Sequence, residues 1–441
     1  MIMKTEKDTQ NSASETSRRN FLKHSSTAVV GGVVAPYVGL NSTAQGQNAE
    51  TIRVGLVGCG GRGSGAANQA MKADSNVRLT AMGDVFPHRL QGSLDALKRA
   101  AGEKIDVDPA NQFIGLDAYE KVINSGVDLV ILTTPPAFRP QHIKAAIDAG
   151  KHVFCEKPMA VDSPGLRSVM ASVAEAKRKK LAIVAGFCWR YDYPRRELYS
   201  RIHDGEIGDI RSIYATYYTG PVNPAAPESE RTPDMTDLAW QLKYWQNYVW
   251  LSGDSICEQA IHSVDKIAWA LREEMPVKAV ANGGRQIPAH GGNIYDHFSV
   301  VYEYKSGLRT HLGSRQIAGC YNENSDYIYG SKATGLINGW SDVRIQGQKN
   351  WKYRGPKKDM YQVEHDELFE SIRKGEPLND GDRMVTSCLM GVMGRMAAYT
   401  GKEVTWDDVM NSTNQLVPPN LEWDMELPVR PIARPGQTPL I

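Results

Sequence analysis

Glycines 58, 60 and 63 stand at dinucleotide-fingerprint spacing directly after the apolar run 52–57. In such a turn the first glycine permits the sharp bend and the second removes the Cβ that would block a pyrophosphate. The third lets the following helix pack on its strand. The phosphates then meet free N–H groups at a helix N-terminus, where the helix dipole favours an anion. A second apolar run, 77–82, leads to Asp84, about 20 residues beyond Gly63, the spacing of a carboxylate that binds ribose hydroxyls. Its negative charge repels a 2′-phosphate, so NAD is favoured over NADP as the expected cofactor. Gly61 and Arg62 complete the turn. Arg62 and Arg89 lie close enough in sequence to Gly63 and Asp84 to bear on that preference, and otherwise read as solvated surface.

Two further motifs fall where open α/β sheets bind ligands, at the carboxyl ends of strands. Thr133-Thr-Pro-Pro136 adds Thr133 and Pro135 to the expected cofactor set, with His142 on the helix that follows, and Glu156-Lys157-Pro158 comes after the next strand. Further on stand Gly186-Phe-Cys-Trp-Arg-Tyr191 and Glu258-Gln-Ala-Ile-His262. With these motifs the chain, from about residue 50 to 411, resembles the Gfo/Idh/MocA family of sugar and polyol oxidoreductases. The resemblance implies that Lys157 lies by the nicotinamide and the substrate hydroxyl, beside the cofactor contact Glu156, and that His262 is the acid/base. The family more often has Asp where this chain has Glu258, so Glu258 is expected to contact a substrate hydroxyl, to orient His262 or to sit in a different register.

The chemistry suits those roles. Oxidising a secondary alcohol needs a hydride acceptor on one face of the carbon and a base near the hydroxyl proton. Histidine titrates in the right range, and a cationic lysine stabilises developing alkoxide charge. The i, i+4 spacing predicts that Glu258 and His262 share one helix face, and Asp265 is a second candidate to orient the imidazole. Arg190 and Tyr191, with Asp265, are candidate substrate contacts. The aromatic run Trp240, Tyr244, Trp245, Tyr248 and Trp250 reads either as a platform for sugar C–H faces or as interface packing, with Trp245 and Trp250 taken as substrate residues.

The elements that position these residues alternate. Strands are predicted at 52–57, 77–82, 127–133, 152–155 and 182–187, with helices at 65–73, 88–101, 117–124, 140–149 and 163–179, a parallel-sheet pattern. Beyond residue 190 longer strands at 210–218, 277–285, 297–304, 309–316, 325–330 and 334–338 predict a large, mostly antiparallel sheet. Helices at 254–271 and 363–373 cover it, a further helix at 384–400 and a Pro-rich tail close the chain, and residues 220–240 and 353–360 read as loops. The expected fold is α/β, a Rossmann domain over 50–188 followed by an α+β domain over 189–441.

At 441 residues the chain has room for two cores. Lys plus Arg total 51 against 50 for Asp plus Glu, a balance that gives no long-range pull toward nucleic acid or an anionic membrane. Six scattered cysteines and ten histidines show no metal-ligand spacing, so no metal is expected. Residues 1–49 read as a twin-arginine export signal and linker. They carry Ser17-Arg-Arg-Asn-Phe-Leu-Lys23, a small apolar stretch too short for a stable anchor, and a cleavage-like site near Ala44.

The reading that follows is an exported, periplasmic oxidoreductase acting on a sugar, glycoside or polyol with a tightly held cofactor. A glycoside-cleaving enzyme that oxidises and reduces its substrate within one cycle is the alternative, and a non-catalytic sugar binder the second. The resemblance also implies a homodimer or homotetramer.

Overall fold

The computed structural model describes residues 50–287 and 291–441, so the expected export signal lies outside the described residues. The first lobe is built from β1 (Ile52–Val57), α1 (Gly61–Ala73), β2 (Val77–Asp84), α2 (Pro87–Ala101), β3 (Gln112–Ile114) and α3 (Ala118–Asn124). It continues with β4 (Leu129–Leu132), α4 (Arg139–Asp148), β5 (His152–Cys155), α5 (Ser163–Lys179) and β6 (Ile183–Ala185). All six strands are parallel in the order β3-β2-β1-β4-β5-β6. This is the doubly wound Rossmann order, whose ligand crevice opens where the strand order reverses, between β1 and β4. Its central strand β4, Leu-Val-Ile-Leu, is a continuous buried apolar run because helices cover both faces.

The second lobe opens with α6 (Tyr193–His203), β7 (Ile210–Thr219), α7 (Asp237–Lys243), α8 (Val249–Ser252), α9 (Ser255–Glu258) and α10 (Ile261–Ala270). There follow β8 (Lys278–Gly284), β9 (His297–Glu303), β10 (Arg309–Gln316), β11 (Ser325–Gly330), β12 (Ala333–Asn338), β13 (Asp342–Gly347) and β14 (Trp351–Lys352). The chain closes with α11 (Met360–Arg373), α12 (Gly381–Thr400), β15 (Val404–Thr405), α13 (Trp406–Asn411) and an irregular tail. The nine-stranded sheet runs β14-β13-β12-β11-β7-β10-β9-β8-β15, antiparallel throughout except for the β7–β10 pair. Helices α10 and α12 bury one face of it, and α12 packs so closely that a Cβ on Gly391 or Gly394 would strike Ile261 or Ile256.

Three sequence expectations change. The loop over 220–240 contains the start of α7, capped by the Thr236 hydroxyl, which accepts from the Ala239 N–H. The single helix at 254–271 is broken: Gly253 and Asp254 take positive φ (77° and 74°) just before α9, and Gln259 and Ala260 separate α9 from α10. After the second sheet the chain also returns to the first lobe, so the helix expected at 363–373 packs there and not on the second sheet. Val363, Leu368 and Phe369 of α11 join the core around β1 and β2, and residues 378–380 hydrogen-bond the exposed edge of β6. That covers an edge that would otherwise be open to strand addition.

Candidate active site

Each fingerprint glycine has a geometric reason. Gly58 takes φ +94°, and a Cβ there would come within 2.8 Å of the Thr133 carbonyl carbon. A Cβ on Gly63 would run into the carbonyl oxygen of Gly58, so α1 packs against its own strand only with glycine at that position. Gly60 and Gly61 face open space, with no atom within 4 Å of where a Cβ would stand. That bare surface, at the N-terminus of α1, is the cradle that a pyrophosphate needs. Asp84 ends β2 with its carboxylate oxygens accepting from the Cys59 N–H (2.6 Å) and the Phe86 N–H (2.8 Å), so the group is held rigidly at the crevice. The Thr133 hydroxyl donates to the Gly58 carbonyl at 2.6 Å and braces the turn from β4.

These residues line a cavity of about 660 Å³ together with Pro135 and His142. His142 stacks on Tyr119 with 4.1 Å between centroids, and burial, then the Arg139 charge, pushes its pKa down to about 3. It is a neutral wall of the site with Nδ1 at 3.2 Å from the Thr134 hydroxyl. Crevice, cradle and carboxylate together fit a dinucleotide.

Arg62 is not solvated surface. Its guanidinium donates to Glu156 through Nε and to Glu364 of α11 through Nη2 at 3.2 Å, and it lies 4.9 Å over the Tyr361 ring. Burial lowers the Arg62 pKa, but the two carboxylates outweigh that and hold it raised. Glu156 also accepts from the Lys157 N–H at 3.2 Å, which ties the glycine turn to the segment after β5. Arg89 lines the same cavity, its guanidinium 4.9 Å from the Phe86 ring.

The Lys157 ammonium reaches across to the second lobe, donating to the Glu258 carbonyl and lying 3.2 Å from the Glu258 carboxylate. A relay continues from there. Gln259 donates to Glu258 and accepts from the Tyr217 hydroxyl at 3.1 Å. His262, in the first turn of α10, is nearly buried between the ring edges of Phe187 (6.1 Å) and Trp189 (6.5 Å). Burial first, then the charges of Lys157, Lys266 and Arg62, drives its pKa well below the ordinary histidine range. Its Nδ1 is buried without a hydrogen-bond partner among the described residues, as are both ring nitrogens of His365 in the first-lobe core.

The structure thus brings Lys157, Glu258 and His262 together, but by another route than one shared helix face. Glu258 ends α9 and His262 begins the separate α10.

Four expected substrate residues are occupied elsewhere. Arg190 and Asp265 form a buried bidentate ion pair, both contacts at 2.8 Å, completed by Glu273 and the Ser387 hydroxyl. Asp265 therefore does not orient His262. Tyr191 is buried with its hydroxyl donating to Asp380 at 2.9 Å. Trp250 is buried with its indole N–H donating to Gln241 at 2.6 Å. A charged or aromatic side chain at a lobe crossing looks the same in sequence whether it meets ligand or protein. Trp245 does reach a ligand cavity, but it is the dinucleotide cavity.

Tyr217, Gln259, Phe187, Trp189 and Glu364 were not singled out. Three of them lie inside motifs already noted, so adjacency was the available signal. Glu364 carries none, since only the return of α11 brings it to Arg62.

A glycine-turned Rossmann lobe with a lysine beyond β5, ion-paired to a second lobe that carries a buried histidine, defines a two-lobed nicotinamide-dependent oxidoreductase. Residues 52–187 match the profile described as the oxidoreductase family, NAD-binding Rossmann fold, and residues 196–335 match the GFO/IDH/MocA C-terminal domain. The chain belongs to the Gfo/Idh/MocA family of oxidoreductases, with an NAD-binding first lobe. It is 29% identical over 260 residues to the inositol 2-dehydrogenase of Acidiphilium cryptum, covering 59% of this chain and 66% of that enzyme. It is 26% identical over 323 residues to the inositol 2-dehydrogenase of Rhizobium meliloti, covering 72% and 86%. Its fold matches the crystal structure of aldose-aldose oxidoreductase from Caulobacter crescentus complexed with glycerol, with a TM-score of 0.65 at 20% identity, over 81% of this chain and all of that one.

Proposed function

We propose that this protein is an exported NAD-dependent oxidoreductase that moves a hydride between a secondary alcohol of a sugar, glycoside or polyol and a tightly held cofactor. The observation that carries the reading is the Lys157–Glu258 ion pair beside a buried, neutral His262. Similarity to inositol 2-dehydrogenases and to an aldose-aldose oxidoreductase supports the substrate class.

Gly58, Gly60, Gly61 and Gly63 cradle the diphosphate, and Asp84 accepts the ribose hydroxyls, which favours NAD over NADP. The nicotinamide, when bound, supplies the hydride acceptor. Lys157 donates to the substrate oxygen and stabilises the charge that develops as the hydroxyl loses its proton. His262, neutral because it is buried, is the proton acceptor, and its depressed pKa makes it a weaker base than the ordinary imidazole expected from the sequence. Glu258 holds the lysine in place through its carbonyl and carboxylate, and Glu156 with Arg62 fixes the strand end from which the lysine springs.

The experiment is a panel of polyols and aldoses offered with NAD and followed by NADH absorbance. Turnover on a panel member that His262→Ala and Lys157→Met each abolish supports the reading, and wild-type turnover in both variants sinks it. Release of an aglycone from a glycoside without net NADH would instead identify redox-neutral cleavage.

Export rests on the residues 17–23 motif and is checked by the cell fraction in which the full chain accumulates. A homo-oligomer is supported by the sheet face opposite α10 and α12. There the register aligns Val280, Val301, His311, Tyr214 and Tyr327 in one row, with Val280 and nearby Tyr329 well exposed. Native mass spectrometry reads the number of chains.

A further inference from the structure

A Rossmann site binds its ligand in a crevice outside the strand ends, with one side open. In this chain the second lobe closes that side. Leu242, Lys243, Trp245 and Gln246, at and just beyond the end of α7, line the cavity with Asn223, in company with the glycine turn and Asp84 of the first lobe.

The wall is stapled. Asn223 donates to the Lys243 carbonyl (3.3 Å) and the Gln246 side chain (3.1 Å), and Asn247 donates back to the Asn223 carbonyl (2.9 Å). From one side the Asn293 N–H donates to the Asn247 carbonyl and its side chain accepts from the Val249 N–H, both at 2.9 Å. From the other side the C-terminal tail holds α7. Gln241 donates to the Leu427 carbonyl at 2.6 Å, and the Leu427 N–H donates to Asp237 at 2.8 Å. The same tail sets the Trp423 ring edge against Phe86, 6.1 Å between centroids, beside Asp84.

The charges facing the cavity differ in their commitments. Arg62 is engaged by Glu156 and Glu364, whereas Arg89 and Lys243 have no carboxylate partner among the described residues; Arg89 lies over the Phe86 ring on the first-lobe side and Lys243 over the Trp240 and Tyr244 rings on the second. A diphosphate carries two negative charges, and backbone N–H groups on the glycine side neutralise neither in full.

We propose that Lys243 and Trp245 bind the dinucleotide from the second lobe, the ammonium pairing with the diphosphate and the indole covering it, so that the cofactor stays bound between turnovers. This deepens the proposed function, on whose dinucleotide site it rests. Release requires the stapled wall to part from the first lobe, which suits an enzyme that restores its cofactor in place.

The test uses the full chain as purified, with no sugar present. Bound nucleotide is counted by native mass spectrometry and by chromatography of the denatured supernatant after successive desalting steps. The wild type keeps its nucleotide, and Lys243→Met loses it about tenfold faster, the worth of one charge-assisted contact. Trp245→Ala loses it faster as well, and Asn247→Ala, which cuts the staple without touching the cavity, serves where either fails to fold. Equal retention in wild type, Lys243→Met and Trp245→Ala overturns the proposal, as does a wild type stripped by the first desalting. Since retention is scored without substrate, a chain that holds nucleotide through Lys243 but oxidises no alcohol overturns the oxidoreductase reading and leaves this one standing.

Discussion

Two lysine–carboxylate pairs in this molecule share a chemistry and differ in surroundings. Lys266 and Asp326 join α10 to β11 with side chains only 1% and 2% exposed, whereas Lys157 and Glu258 join the two lobes with 11% and 10% exposed. Burial pushes the Lys266 pKa down and the Asp326 pKa up, and their mutual attraction works against both shifts. A pair sealed in this way can only hold the fold, because no ligand reaches it and neither ion survives the loss of the other. The Lys157 ammonium gives two of its three protons to Glu258, which leaves a third donor position. Accessibility and an unfinished donor set, more than the ion pair itself, mark the candidate catalytic lysine.

The comparison is sharpest under substitution. Lys157→Met is expected to cut kcat/KM by roughly 10²–10⁴-fold, the range for a group that stabilises or moves charge in the transition state, with little change in Tm. A large loss of Tm with normal turnover would put Lys157 in the same class as Lys266.

Lys266→Met is expected to do the reverse. Leaving Asp326 buried and unpaired destabilises by about 3–5 kcal/mol in urea unfolding, and Lys266→Met with Asp326→Leu recovers most of it. The glycine turn offers a smaller contrast of the same kind. Gly63→Ala forces a Cβ into the Gly58 carbonyl and lowers stability by about 1–3 kcal/mol, while Gly60→Ala meets open space and weakens nucleotide binding at unchanged stability. Calorimetry with and without NAD separates them, and equal losses of stability would break the assignment of roles.

The smallest effect concerns pH. The depressed His262 pKa keeps the imidazole neutral above the ordinary value of 6.5 and for some distance below it. Its contribution to stability is therefore complete above pH 6.5 and falls as pH drops through that value, because the unfolded imidazole binds a proton that the buried one refuses. The acid limb of kcat/KM is expected below pH 6.5. A limb above that value, lost in His262→Gln, would show that the histidine is solvated.

Much of the first lobe was legible. Apolar runs, the three glycines and Asp84 report local sterics, and the turn they form depends on residues adjacent in the chain. Glu156, Lys157 and His262 could be singled out by motif. The break between α9 and α10 could not, because it falls where Glu258 meets Lys157, a contact whose partners lie far apart in sequence. Helix α6 was missed because its first turns are crowded with Arg195, Arg196 and Glu197, charges whose partners come from other elements.

By itself the sequence determined the α/β alternation and the nucleotide turn, since each depends on backbone geometry or residue chemistry within a few positions, and its motifs singled out Lys157 and His262 as candidates. Only the tertiary structure decided which charges meet ligand and which meet one another. Arg190 and Asp265 found each other in the interior, Arg62 was claimed by a glutamate from the returning α11, and Trp245 was turned toward the dinucleotide cavity. The physical reason is that a side chain's partner is set by what long-range packing brings within a few ångströms, and nothing in its own stretch of chain specifies that neighbour.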